Sequence, residues 1–249
     1  MTQNRESVLY FDGDGDYITV ADSEALRVNN YTVEVWIKTD GVPNEDWKGI
    51  IGKPGRNFNI WLNKAAFLAH CFHTTETTNL YIASDSNLIQ WNKWQHLAIT
   101  NDGTTAKTYI NGELKKESPI GHELVVDKTQ IRIGVNLDGS GSNWYKGEMT
   151  EVRLWNKVRS EADIKETMFT RLKGDEDGLA GYWPLNDVAN NTATDETENE
   201  NHGKIYGAVV DEQLPLLGKQ GSGDNARQYV LKFDGSGDYV QVENPSFSH

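Results

Sequence analysis

The sequence predicts an all-β protein, a two-sheet antiparallel β-sandwich of the jelly-roll type with one short α-helix. The first observation is alternation, because in residues 31–38 (YTVEVWIK) Val33, Val35 and Ile37 fall on one face of an extended strand. Similar short runs recur at residues 58–62, 67–72, 96–100, 107–111, 130–134 and 149–155. The second observation is the set of turn signals between the runs: Asp40-Gly41, Lys53-Pro54-Gly55, Asp102-Gly103, Asn111-Gly112 and Asp138-Gly139. Many short strands separated by such turns are typical of sandwiches and jelly rolls.

Composition and charge exclude several classes of protein. Hydrophobic residues make up 37% of the chain and include eight Trp, which is enough apolar material for a folded core. The formal net charge is −13, so we expect no nucleic-acid partner. No apolar run is long enough for a membrane helix, and residues 1–11 do not read as a signal peptide, so we expect no membrane insertion. The compartment stays open; we favour an extracellular or surface-exposed location, reached either through an export signal outside this segment or by another secretion route.

A repeated segment at the two ends of the chain predicts the domain organisation. Residues 9–20 (LYFDGDGDYITV) and 231–242 (LKFDGSGDYVQV) are identical at 8 of 12 positions and lie 222 positions apart. This spacing predicts one domain over residues 1–212, a polar linker over 213–228, and the opening strands of a second, truncated repeat over 229–249. The alternative is that the C-terminal copy closes the same domain as an extra hairpin.

The first copy of the repeat contains an acidic turn. Asp12, Asp14 and Asp16 lie on one short loop, where Gly13 and Gly15 permit backbone conformations with positive φ. Three carboxylates this close repel one another unless a cation or backbone donors compensate, and hard oxygen ligands suit Ca²⁺. We therefore predict a structural calcium site at the three aspartates. The alternative is a solvated turn in which the aspartates accept hydrogen bonds from backbone amides.

One helix is expected after the last long strand. Ser160 can cap its N-terminus with Asp163 three residues on, and Ile164, Met168 and Leu172 recur at helical spacing before Gly174. We expect this amphipathic helix to pack on the sandwich.

Six motifs occur in a fixed order along the chain: FDGDGDYITV, YTVEVWIKTD, KWQHLAITNDG, YINGEL, GEMTEVRLWNKVRSEADI, and GLAGYWPLND with NHGKIYGA. Together they resemble the laminin-G-like jelly-roll domain of the concanavalin A-like lectin/glucanase superfamily, over residues 7–210. The resemblance implies two antiparallel sheets face to face. It also implies that a structural calcium ion can lie near such a loop and that the function is recognition of a glycan or protein.

The predicted ligand contacts lie in the loop of residues 136–146 (NLDGSGSNWYK). Planar amide and carboxylate groups beside aromatic rings are the groups that hydrogen-bond and stack on sugars. The candidates are Asn136, Asp138, Asn143, Trp144 and Tyr145, with Asn59, Trp61, His73 and Asn79 as weaker ones. The alternative is a variable surface loop without a ligand. Glu34 with Trp36, and Arg153 with Trp155, could form a sugar platform, but we expect structural pairs covered by a loop or the helix.

The same superfamily contains β-glucanases, so the sequence is compared with what glycoside hydrolysis requires. A retaining glycosidase needs two carboxyl groups roughly 5 to 5.5 Å apart. No strand carries the acidic pattern E-x-D-x-x-E, and Glu148 and Glu151, three residues apart, fall on opposite faces of a regular strand. We therefore predict that the chain is not an enzyme.

The function predicted from these observations is a non-catalytic binding module for a carbohydrate or cell-surface protein, one unit of a tandem adhesin-like array. Its partners would be a glycan or cell-surface protein and neighbouring copies of the same domain. Linked weak sites gain avidity, which is why repetition suits that role. The first alternative is a structural spacer or protein-interaction domain without a glycan ligand. The second is a glycoside hydrolase of the glucanase type.

Overall fold

The computed structural model describes residues 6–41, 47–54, 58–65, 68–72, 74, 80–85, 87–121, 124–135, 143–186, 189–213, 230–232 and 239–241. Within these residues the strands, in chain order, are β1 (Glu6–Asp12), β2 (Tyr17–Val20), β3 (Tyr31–Thr39), β4 (Lys48–Gly52), β5 (Asn59–Leu62), β6 (Leu68–Phe72), β7 (Leu80–Ala83), β8 (Trp94–Asn101), β9 (Thr105–Ile110), β10 (Glu113–Pro119), β11 (Ile131–Ile133), β12 (Lys146–Trp155), β13 (Leu179–Trp183), β14 (Thr192–Ala193), β15 (Gly203–Tyr206), β16 (Val209–Gln213), β17 (Val230–Lys232) and β18 (Tyr239–Gln241). The helix is α1 (Glu161–Thr167), and short 3₁₀ turns span Glu24–Leu26 and Ala189–Asn191. No helix among these residues is long and apolar enough to cross a membrane.

Two antiparallel sheets of eight strands each form the sandwich. The back sheet has the strand order β10-β9-β8-β3-β12-β1-β16, with β13 also paired to β12. The front sheet has the order β14-β15-β2-β11-β4-β5-β6-β7. Each sheet combines consecutive strands with pairs that are distant in sequence, such as β1 against β12 and β2 against β15. The predicted all-β sandwich with one helix is therefore confirmed.

The core lies between the sheets and follows the alternation of the strands. The back sheet contributes Val33, Val35 and Ile37 of β3, as predicted, and the front sheet contributes Ile18 and Val20 of β2 with fully buried neighbours on β11. Burying one such aliphatic side chain stabilises the fold by about 1.5 to 3 kcal/mol. The alternate residues of each strand must then point away from the core, and on β2 and β15 they reach solvent.

Helix α1 begins as predicted, with the Ser160 side chain accepting from the Asp163 N–H and the Asp163 side chain accepting from the Ser160 N–H. It ends earlier than predicted, at Thr167, and Leu172 packs outside the helix against Trp155. The physical reason is tertiary, because side chains of the back sheet donate hydrogen bonds to the backbone carbonyl oxygens at and after the end of the helix. Arg153 donates to the carbonyl oxygens of Thr167 and Thr170, and Trp36 Nε1 donates to that of Met168.

A β-bulge in β12 corrects the expectation for Glu148 and Glu151. Glu151 has φ 56°, and the register with β3 shifts between Thr150 and Arg153. Met149 and Val152 both enter the core, so the extra residue leaves Glu148 and Glu151 on the same, outer side of the back sheet. A regular strand would have separated them.

The C-terminal part of the predicted domain completes the back sheet. β16 pairs with β1 through Gln213, one residue beyond the predicted boundary. The linker residues 214–228 lie outside the described residues. In the second copy of the repeat, β17 pairs with β18 as a separate two-stranded sheet. The division into one domain and the opening of another stays a prediction.

Candidate functional site

The acidic turn between β1 and β2 is held by hydrogen bonds to its own backbone. Asp16 Oδ2 accepts from the Asp12 N–H at 2.8 Å, and Asp12 Oδ1 accepts from the Asp14 N–H at 2.7 Å. Gly13 and Gly15 have φ values of 86° and 92°, as the turn requires. Burial raises the pKa of Asp16, and the nearby charges of Asp12 and Asp14 act in the same direction. These hydrogen bonds are those of the alternative to a calcium site, a turn in which the aspartates accept from backbone amides.

The same geometry bears on the predicted calcium site. Among the residues that the structure describes, no three Asp, Glu, His or Cys side chains form a group that could hold a metal ion. Oxygens of Asp12 and Asp16 are used by amide donors instead. Calcium binding at the three aspartates stays a prediction.

The predicted ligand loop is only partly described. Asn136 and Asp138, together with the weaker candidates His73 and Asn79, lie outside the described residues. Asn143 lies beside β4, where its carbonyl oxygen accepts from the Gly49 N–H.

Tyr145 is not an exposed ligand contact, which corrects the prediction for this residue. It is 0% exposed and packs edge to face on Phe11, with ring centroids 6.0 Å apart. Its hydroxyl lies 3.2 Å from Thr39 Oγ1 and 3.3 Å from the Glu148 carbonyl oxygen. Burial raises the pKa of its phenol. The preceding residue, Trp144, lies closer to solvent and contacts the outer side of the front sheet.

Three aromatic rings meet on that outer side. Tyr17 of β2 and Tyr206 of β15 are paired in register, and their rings stack with centroids 4.5 Å apart and planes 8° apart. Trp144 extends the group, with its ring centroid 5.5 Å from that of Tyr17. Tyr206 is 37% exposed, and the other two rings are partly exposed. We call Tyr17, Trp144 and Tyr206 the aromatic cluster.

Two cationic side chains flank the aromatic cluster. Lys204 of β15 and Arg132 of β11 are both register partners of Thr19, one on each side of β2. The Lys204 ammonium lies 4.9 Å from the centroid of the Tyr206 ring, and the Arg132 guanidinium lies 6.0 Å from that of Tyr17. Neither cation pairs with a carboxylate among the described residues. We call Lys204, Thr19 and Arg132 the cationic row.

Beyond the cationic row, the same line of register partners leads across the front sheet to Asn59 of β5. Arg132 is the register partner of Gly52, and Gly52 is that of Asn59. A Cβ atom at Gly52 would lie 1.8 Å from Asn59 Oδ1, so only glycine leaves room for this amide across β4. Asn59 is 1% exposed, and neither its Oδ1 nor its Nδ2 has a hydrogen-bond partner within the described ranges. Trp61, two residues on, meets Trp47 edge to face at 5.7 Å.

The outer side of the back sheet carries a different polar group, which is buried. The carboxylate of Glu34 forms an ion pair with Arg159 Nη1 and lies 3.2 Å from His96 Nε2. The carboxylate of Glu151 accepts a hydrogen bond from Arg153 at 2.8 Å. Tyr182 also donates to Glu151 Oε2, at 2.7 Å. Burial by itself would raise the pKa of Glu34, but His96 and the two guanidinium groups lower it to about 2.

Helix α1 and the segment after it cover this network. Arg159 Nη2 donates to the Asp163 carbonyl oxygen at 2.8 Å and to Thr167 Oγ1 at 2.9 Å. Trp36 and Trp155 are buried beside it. The interpretation of these residues as structural pairs covered by the helix is confirmed. The carboxylates of Glu148 and Glu151, although on one side of the sheet, are engaged in ion pairs with Lys38 and Arg153.

The described residues thus define a lectin-like β-sandwich, whose front sheet carries partly exposed aromatic rings beside unpaired cations. A laminin G domain model, described as belonging to the concanavalin A-like lectin/glucanases superfamily, matches residues 12–165. Because the match covers more than half of the chain, the chain belongs to this superfamily. No match was found among curated proteins.

Solved structures show the same fold at low sequence identity. A protein from Bacteroides ovatus ATCC 8483, proposed to bind carbohydrate, is 22% identical with a TM-score of 0.68, over 84% of this chain and 60% of its own. A heptameric SAP-like pentraxin from Limulus polyphemus is 14% identical with a TM-score of 0.55, over 86% of this chain and 98% of its own. This chain therefore spans less than two thirds of the Bacteroides protein.

Proposed function

We propose that this chain is a non-catalytic module that binds carbohydrate on the outer side of the front sheet. The observation that carries the proposal is the aromatic cluster, in which Tyr206 remains 37% exposed although it stacks on Tyr17. Aromatic rings offer flat apolar surface to the C–H face of a pyranose ring. The polar side chains in the adjacent row supply hydrogen bonds to hydroxyl groups, as in other small-molecule sites.

The location on strands rather than on a loop supports the proposal. Tyr17 and Tyr206 lie on paired strands, and the residues next to them in sequence, Ile18 and Ile205, are buried in the core. Their side chains are therefore held in position before a ligand arrives, which lowers the entropy lost on binding. The buried carboxylates of the back sheet have no comparable access to a substrate.

We further propose that the module works at a surface, beside neighbouring copies, against a glycan or a glycan-bearing protein. The partial second copy of the N-terminal segment supports this role. A single open face is expected to bind weakly, and several linked faces gain avidity through high effective concentration.

A polysaccharide panel tests the proposal. The full chain is measured against galactan, glucan, mannan, polygalacturonate and a sulfated galactan, and the same panel is repeated with Tyr206→Ala. We expect at least one polysaccharide to bind and Tyr206→Ala to weaken it about ten-fold or more, because stacking on aromatic rings is lost.

Leu114→Ala is the matched control, since Leu114 is an exposed apolar residue on β10 of the back sheet. It should bind as the parent does. Binding to none of the polysaccharides would contradict the proposal and favour a spacer or protein-interaction domain. Equal loss in both variants would place the site elsewhere.

A further inference from the structure

We infer that the carbohydrate bound at the front sheet is anionic, a saccharide that bears uronate carboxylates or sulfate esters. The inference rests on the proposed function and adds the chemical class of the ligand. It is carried by the cationic row of Lys204, Thr19 and Arg132 beside the aromatic cluster.

Within the part of the chain that the structure describes, neither of the two cations has a carboxylate partner, although the chain has an excess of acids. The sequence holds 37 Asp and Glu against 24 Lys and Arg. Many of the described cations lie within 4 Å of a carboxylate, as do Arg27, Lys38, Lys53, Lys107, Lys115, Lys116, Arg153, Lys157, Arg159, Lys165 and Arg171. Lys204 and Arg132 contact aromatic rings instead. Their charge is available to a ligand at the same face that offers the rings.

The spacing of the cationic row suits one saccharide chain. Lys204 and Arg132 are separated by β2, and strands in a sheet lie about 4.8 Å apart, so the two Cα positions are roughly 10 Å apart. Thr19 stands between them and offers a hydroxyl group. A ligand lying across the strands can therefore contact both cations while a sugar ring rests near Tyr206.

Arg132 is suited to a planar anion. A guanidinium group donates two parallel hydrogen bonds to a carboxylate and similarly to sulfate oxygens, and stacking on an aromatic ring holds it in place. Among the described residues, Arg132 Nε and Asn59 Nδ2 are buried donors without an acceptor, and Asn59 Oδ1 is a buried acceptor without a donor. The two unpaired donors favour a ligand that supplies oxygen atoms, and the unpaired acceptor favours one that also carries hydroxyl groups.

Three galactose-based ligands test the inference on the full chain. They are an oligogalacturonate, a sulfated galactan oligosaccharide and the neutral galactan oligosaccharide, each measured by titration calorimetry at about 0.1 M and about 1 M salt. We expect the oligogalacturonate, the sulfated ligand or both to bind at least about ten-fold more tightly than the neutral one, and to weaken at high salt, where the screening length falls to about 3 Å. Comparison of the oligogalacturonate with the sulfated oligosaccharide shows whether the site prefers carboxylate or sulfate groups.

Arg132→Gln and Lys204→Gln should each weaken binding of the acidic ligand about ten-fold or more and weaken binding of the neutral one much less, because Gln loses the charge but keeps a donor for hydroxyl groups. Lys115→Gln on β10 of the back sheet is the matched control and should change neither. Inorganic sulfate should not compete at equal concentration, because it offers no ring to the aromatic cluster. Melting curves of all variants confirm that they fold.

The outcomes separate the inference from the proposed function. If the neutral ligand binds as tightly as the acidic ones, and neither Gln variant changes this, the anionic class is wrong while carbohydrate binding stands. If no ligand binds, both fail. If Lys115→Gln weakens binding as much as Arg132→Gln does, the attraction is unspecific and the inference is overturned.

Discussion

Tyr17 and Tyr206 stack with their ring centroids 4.5 Å apart and their planes within 8° of parallel, although they come from opposite ends of the domain. The contact joins β2, which follows the acidic turn, to β15, the second strand from this edge of the front sheet. The stacked pair therefore forms only when these two distant strands pair, and it lies on the face on which we place the ligand.

The first prediction concerns this stacked pair. A double-mutant cycle with Tyr17→Leu and Tyr206→Leu should give a coupling free energy of about 0.5 to 1.5 kcal/mol in urea unfolding, because aromatic pairs gain this much beyond burial. Tyr206→Phe should keep most of the coupling, since the ring remains. Additive effects of the two Leu variants would show that the rings do not stabilise each other.

The second prediction concerns the buried ion pairs of the back sheet. Glu34→Gln should lower the free energy of unfolding by about 3 to 5 kcal/mol, because it leaves the buried charges of Arg159 and Arg153 without their shared anion. The matched control is Asp177→Asn, which removes the anion of an ion pair with Lys157 at the surface. That variant should cost about 0 to 1 kcal/mol. Similar losses in the two variants would show that burial does not decide the effect.

The third prediction is a loss of stability at mildly acidic pH caused by His96. Burial lowers the pKa of His96 below its usual 6.5 with help from the positive charges of Arg153 and Arg159, and together they outweigh Glu34, which raises it. The unfolded chain therefore takes up a proton below pH 6.5 that the folded protein does not. The free energy of unfolding should fall with pH in that window, by at most about 1.4 kcal/mol per pH unit.

Replacing His96 checks the source of this slope. His96→Gln has no titrating group at the site, so its stability should change less between pH 6.5 and pH 5. Glu34 acts in a separate window, because its pKa is lowered from 4.5 to about 2, and its contribution is lost only as the pH falls through that range. An unchanged slope in His96→Gln would assign the effect to another group.

The fourth prediction concerns the acidic turn. Asp16→Ala should lower stability by about 1 to 2 kcal/mol, because the Asp12 N–H loses its acceptor. Thermal unfolding after chelation, with and without added Ca²⁺, is the measurement. If the turn is held by its own backbone, the cost is the same in both conditions. A calcium-induced rise in melting temperature that Asp16→Ala abolishes would instead establish the calcium site, by mass action.

The candidate site could be predicted only in part from the sequence. Tyr17 and Tyr206 occupy outward positions of alternating strands, in YITV and GKIY, and that alternation is a readable signal. Their stacking is not readable, because nothing in either segment says that β2 and β15 pair. The sequence also grouped Trp144 with Tyr145, whereas one-residue alternation sends Tyr145 into the core and leaves Trp144 outside.

What the sequence by itself determined is the class of fold, the core face of each alternating strand and the N-terminal cap of α1. These depend on local periodicity and on side chains a few residues apart. Tertiary structure alone decided the end of α1 at Thr167, the bulge at Glu151, and the row that brings Lys204 and Arg132 to either side of Thr19. Each of these depends on which distant strands become neighbours, and backbone pairing between remote segments leaves no pattern in the segments themselves.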